Sequence, residues 1–162
     1  MTTFGSLLIV GLLPNVAIAG GPHPVTFQVR PVIVREATDC GVFGFDFELL
    51  STHGDVVGKA HACANDVIDP GGSGKVWRPV FSGTMYLELP GGTALGSVVW
   101  DRQLWIPDAA NPEIIERFHA IFTKGTDAYA NMTGTMSGGG RVQWDGDAPV
   151  AQTLWTITLR QN

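Results

Sequence analysis

The chain has 162 residues, a formal net charge of −5, 15% charged residues, 21 glycines and 10 prolines. That length corresponds to one domain with enough chain to bury a core, and 44% hydrophobic residues exclude a disordered polymer. With no run of Lys and Arg to neutralise phosphates, nucleic acid is excluded as a partner.

In chain order, Phe4–Leu13 (FGSLLIVGLL) is an apolar stretch of signal-peptide length, too short to span a bilayer as a helix. Pro14 ends it, and Ala17-Ile18-Ala19 places small residues where a leader is cut before Gly20. The expectation is a secretory signal over 1–19 and a single domain over 20–162. The product would be extracellular or periplasmic, with no membrane segment after cleavage. The leader has no Lys or Arg before its apolar stretch; the plain alternative is a buried N-terminal strand.

Val25–Glu36 is rich in β-branched residues and reads as a first strand, with Pro31 requiring an edge or a bulge. Val42–Leu50 alternates, with Phe43, Phe45, Phe47 and Leu49 on one face and Gly44, Asp46 and Glu48 on the other. His53-Gly54 marks a tight turn. In Val56–Asn65, Gly58, Ala60, Ala62 and Ala64 alternate with Val57, Lys59, His61 and Cys63. The small residues let a neighbouring layer approach, or leave room inside a barrel. Asp69–Gly74 is a loop by composition.

Val80–Leu89 sets Phe81, Gly83, Met85, Leu87 and Leu89 against Ser82, Thr84, Tyr86 and Glu88. Pro90-Gly91-Gly92 turns the chain into Ala94–Leu104, and Ile106–Pro112 is a second loop. Glu113–Phe118 could begin as a helical turn, whereas Arg117–Lys124 reads better as strand. Thr126–Tyr129 is a turn, Met132–Ser137 alternates, and Gly138-Gly139-Gly140 interrupts it. Arg141–Trp144 and Ala151–Arg160 flank a final turn at Asp145-Gly146-Asp147. Eight or nine short strands without a long helix predict an all-β fold. An eight-stranded antiparallel barrel is preferred, because closure removes a sticky edge; a β-sandwich is the alternative.

The two cysteines, Cys40 and Cys63, are an even count behind a leader, which points to one disulfide. The hairpin register complicates this. A turn centred on His53-Gly54 sets Cys63 opposite Gly44, so a bond needs a shifted turn, a bulge, or Cys40 lying off the strand. Two buried free thiols remain the alternative.

Gly54-Asp55-Val56-Val57-Gly58 leading to Cys63 resembles the second hairpin of dirigent and allene oxide cyclase-like barrels. Phe122–Gly134 resembles the same family's late GGTGxYxGAxG hairpin, matching at Gly125-Thr126, Tyr129 and Gly134 and departing at Asp127 and Asn131. Phe81–Val99 resembles its central hairpin. The likeness covers roughly Phe43 to Val142 and rests on turn motifs, which lipocalin-like barrels share. It implies an eight-stranded barrel, often a homo-oligomer, with a hydrophobic cavity that steers cyclisation or coupling of small molecules without cofactors. No catalytic set can be matched residue by residue.

A steering cavity needs apolar walls and one or two oriented acids or donors. Tyr86, Glu88 and His119 are the candidate catalytic residues, because each can exchange or orient a proton. Asp46, Glu48, Arg117 and Trp100 are candidate ligand-binding residues. The plain reading leaves the polar faces in water. His23, His53, His61 and His119 lack zinc spacing; His61 and Cys63 share a strand face, but two ligands do not make a site, so no metal is expected. Asn131-Met132-Thr133 is a glycosylation sequon, meaningful in a eukaryotic secretory host. Three functions follow: a barrel directing cyclisation or coupling of an apolar small molecule, a lipocalin-like carrier, or a solid barrel that works through its outer surface.

Overall fold

The structure is a computed structural model that describes residues 24–69, 72–73, 76–101, 104–106, 113–145 and 148–161. The expected leader, residues 1–19, lies outside the described residues, as do His23, residues 107–112 of the second loop, and Gly146-Asp147 of the final turn.

Eleven strands run in chain order: β1 (Val25–Glu36), β2 (Phe43–Leu50), β3 (Val56–Asp69), β4 (Gly72–Ser73), β5 (Val76–Trp77), β6 (Val80–Leu89), β7 (Gly92–Trp100), β8 (Leu104–Ile106), β9 (Glu113–Gly125), β10 (Met132–Asp145) and β11 (Ala148–Gln161). A 3-10 turn at Asp127–Tyr129 joins β9 to β10. Eight of the strands close an antiparallel up-and-down barrel in the order β1-β2-β3-β6-β7-β9-β10-β11, and β11 returns to pair with β1, Val25 opposite Leu159. The short β4, β5 and β8 form a ribbon beside β9.

Period-2 alternation decides what lies inside. Leu49, Phe81, Met85, Leu87, Phe122, Met136, Ile157 and Leu159 are sealed in the interior. Ala60, Ala62 and Ala64 face the same way, and their small size is taken up by larger neighbours: Ala62 stands between Phe45 and Met85 in the register. Each buried large side chain contributes about 1.5–3 kcal/mol, so this lining is the main stabilising term. Tyr129 closes one end, its hydroxyl donating to the Pro90 carbonyl; burial raises its pKa above the usual phenol value.

Three expectations are met or amended. The barrel is the preferred eight-stranded form, not a sandwich. Pro31 sits past the last β1–β11 pair, Val29–Trp155, so its missing N–H is no loss to that ladder; a bulge follows between Ile33 and Arg35. Glu113–Phe118 is strand, not helical turn, because it has β10 on one side and β8 on the other to satisfy its backbone.

Candidate functional site

At the end of the barrel opposite Tyr129 the interior is aromatic. Phe43 meets Phe81 edge-on at 4.9 Å and Trp100 at 5.7 Å, while Trp155 receives Phe47 at 5.0 Å and Phe118 at 5.5 Å. Such T-shaped pairs add about 0.5–1.5 kcal/mol each beyond burial. Gly138 makes the arrangement possible. It lies opposite Phe118 on β9 and Trp155 on β11, and a Cβ there would stand 2.7 Å from Trp155 Cδ1 and overlap the Phe118 ring.

These rings enclose a hollow of about 30 Å³, lined by Phe43, Phe45, Phe47, Trp100, Phe118, Trp155 and smaller apolar groups. That is room for a water or a methyl-sized group. Two polar groups interrupt the apolar wall. Glu116 is the titratable residue among those lining the hollow. Trp155, 2% exposed, has an indole Nε1–H that is buried without a hydrogen-bond partner. A buried donor left unmade costs about 1–3 kcal/mol, a cost that any acceptor reaching it would relieve. An open cleft of about 840 Å³ runs along the seam where β1 and β11 have parted, and Ile33 and Ala151 line both the cleft and the hollow.

Trp100 is buried in the core and lines the hollow. The other candidates are elsewhere. Asp46, Glu48, Tyr86, Glu88, Arg117 and His119 occupy the strand parity opposite to the lining. Glu48 and Glu88 flank Lys59 across β2, β3 and β6 in a row of alternating charge. Tyr86 is 39% exposed and lies opposite His61 and Leu95. His119 faces outward beside Val99 and Ser137. Arg117 borders an open groove of about 670 Å³ over the Gly138–Gly140 backbone. The structure thus does not bring Tyr86, Glu88 and His119 together in a cavity.

Glu116 and Trp155 were not singled out by sequence reasoning. A signal existed for the first: the inward alternation Ile114, Phe118, Ala120, Phe122 has Glu116 as its one charged interruption. It was obscured by reading the start of that strand as a helical turn.

A second polar cluster sits outside the barrel at β2 and β3. Cys40 and Cys63 are joined by a disulfide. Gly44 does stand opposite Cys63, but the turn is one residue longer than expected, Ser51 closing on Asp55, and a bulge between Leu49 and Leu50 restores the pairing. The bond forms because Cys40 lies off the strand, above Gly44. Beside it, His61 Nδ1 donates to Asp46 Oδ1 at 2.7 Å, since an ionised carboxylate only accepts. Arg35 Nε donates to Asp46 Oδ2. His61 Nε2 points the other way, 3.2 Å from Cys63 Sγ and 3.7 Å from Asp39 Oδ2.

The His61 hydrogen bond, helped by Arg35 and opposed by partial desolvation, holds the Asp46 carboxyl below its ordinary range. A depressed carboxylate stabilises the fold fully above its unfolded pKa and loses that contribution as pH falls through the folded value. The stability gap between wild type and Asp46→Asn should therefore be constant near neutrality and shrink below about pH 4. Denaturant midpoints measured across pH check this; a gap that widens in acid would contradict it.

Comparison of the chain with family models, curated proteins and solved structures yields no match.

Proposed function

We propose that the protein binds an apolar small molecule bearing a hydrogen-bond acceptor, reaching it through the β1–β11 seam and seating it against the aromatic end of the barrel. The observation that carries this reading is the buried, unpartnered indole N–H of Trp155, a residue that lines the hollow together with Glu116 and otherwise apolar groups. Phe43, Phe45 and Ile33, which rim the hollow, are only partly buried and can swing to admit a guest larger than the present space. Steering of cyclisation or coupling, as the dirigent-like resemblance implies, would then rest on Glu116 as the acid or base and not on Tyr86, Glu88 or His119. The disulfide fits a secreted protein; sequencing the exported chain should give Gly20 as its first residue, and retention in the cell would contradict export.

The size of the hollow favours one other reading, a filled barrel that acts through its outer surface. Titration calorimetry separates the two. The probes are apolar rings with a carbonyl, and the same rings without it. Saturable binding of the carbonyl set is expected, weakened about tenfold by Trp155→Phe, the upper end of one hydrogen bond's net worth. The plain hydrocarbons should show no such loss. Phe45→Ala, which widens the rim, should accept larger rings. Absence of saturable binding to both wild type and Phe45→Ala would leave the solid barrel standing.

A further inference from the structure

Asp39, Cys40, His61 and Cys63 bring one ligand atom each within 4.8 Å of one another. We propose that, once the Cys40–Cys63 disulfide is reduced, these four residues form a zinc site, so that this corner of the barrel exchanges a covalent staple for a metal one. The proposal is independent of the small-molecule reading.

Three observations carry it. The first is the donor set: two thiolates, an imidazole and a carboxylate are what zinc takes in tetrahedral sites. The second is spacing. In a tetrahedron with ordinary zinc bond lengths, a sulfur–nitrogen edge is about 3.6 Å and a nitrogen–oxygen edge about 3.4 Å. His61 Nε2 already stands 3.2 Å from Cys63 Sγ and 3.7 Å from Asp39 Oδ2. The third is the far side of the ring. His61 Nδ1 is tied to Asp46 at 2.7 Å, which fixes the ring and leaves Nε2 as the atom that faces Cys63 Sγ and Asp39 Oδ2. That carboxylate–histidine arrangement is the support metal-bound histidines have.

Two adjustments are needed: the sulfurs must part to about 3.8 Å, and the widest edge of the cluster, now up to 4.8 Å, must close by about 1 Å. Cys63 is held in β3, but Cys40 lies in the segment between β1 and β2, outside any strand. It is the partly exposed member of the pair, and the one a reductant reaches. The chemistry balances without further components. A dithiol supplies two electrons and two protons, breaking the Cys40–Cys63 bond to two thiols and itself becoming a disulfide. Zinc then displaces both thiol protons to water.

The test uses the folded chain with and without treatment by a phosphine, which reduces the disulfide and takes up the oxygen of one water. Competition with a chromophoric chelator measures zinc, and cobalt(II) absorption reports ligand type. Near-UV circular dichroism follows the barrel. The expected result is one zinc per reduced chain and none per oxidised chain, with thiolate-to-cobalt absorption of tetrahedral form. His61→Ala should weaken zinc binding at least tenfold, and Asp46→Asn by about 10–100-fold, as loss of outer support does. Equal zinc affinity before and after reduction would overturn the proposal, as would cobalt bound without thiolate. So would affinity unaffected by His61→Ala, which is the behaviour of two loose thiols. If reduction alone loosens the barrel, zinc should restore its signal; failure to do so also overturns the proposal.

Discussion

Gly83→Ala is expected to abolish the folded barrel or to remove several kcal/mol of stability, beyond the 1–3 kcal/mol common for an overfilled core. Gly83 lies opposite Ala64 in the β3–β6 ladder, where β3 shifts register between Ala64 and Asp66. A Cβ at position 83 would fall on the Cys63 carbonyl and press on the Ala64 Cα. The obstacle is backbone, not the far end of a flexible side chain. That backbone cannot retreat, because Cys63 is anchored by its disulfide and Ala64 is fully buried. Gly54→Ala supplies the contrast. A Cβ at that turn meets nothing, although φ is +93°, so only the strain of a left-handed residue remains, about 1 kcal/mol. Urea midpoints of the two variants measure the difference. A Gly83→Ala protein as stable as Gly54→Ala would mean that the β3–β6 register is other than described.

Gly44→Ala should prevent the disulfide without altering either cysteine. Gly44 pairs with Cys63 on the adjacent strand, and Cys40 folds over it. A Cβ on Gly44 would overlap Cys40 Sγ, lie 3.1 Å from Cys40 Cβ and stand 2.7 Å from the Ala62 carbonyl oxygen. The expected product carries two free thiols by titration and loses about 3 kcal/mol, the entropy of closing a loop with a sequence separation of 23. That corresponds to a fall of about 10 °C in melting temperature for a domain of this size. A double-mutant cycle isolates the cause. In a Cys40→Ser/Cys63→Ser background the same Gly44→Ala change should cost less by about the worth of the disulfide, the contact with the Ala62 carbonyl remaining. Full cost in that background would assign the glycine to strand packing alone.

The two glycines act in different ways, and neither role is visible in the chain as written. Gly83 reads as a weak spot in an apolar face, and Gly44 as a small residue on a polar one. Their necessity comes from what β3 and the segment before β2 place against them.

Much of the fold was legible locally. Alternation over Phe43–Leu49 and Phe81–Leu89 assigned faces correctly, because a residue in a pleated strand has only two sides to choose between. The turn near His53-Gly54 was legible, but it closes Ser51 on Asp55, and only a bulge between Leu49 and Leu50 sets Gly44 opposite Cys63. The site was less legible, and the reason lies in ring closure. Which face of each strand is interior depends on the sheet curling until β11 meets β1. Only that closure turned Tyr86, Glu88 and His119 outward and Glu116 inward, and only it set the Trp155 indole against a wall of rings. Likewise, sequence places His61 and Cys63 on one strand face. Asp39 and Cys40 reach them from the segment beyond β1, and Asp46 from the neighbouring strand. Local chemistry thus determined strands and the places of the turns. The tertiary structure alone decided inside from outside and which distant side chains became neighbours, since both depend on contacts between residues far apart in the chain.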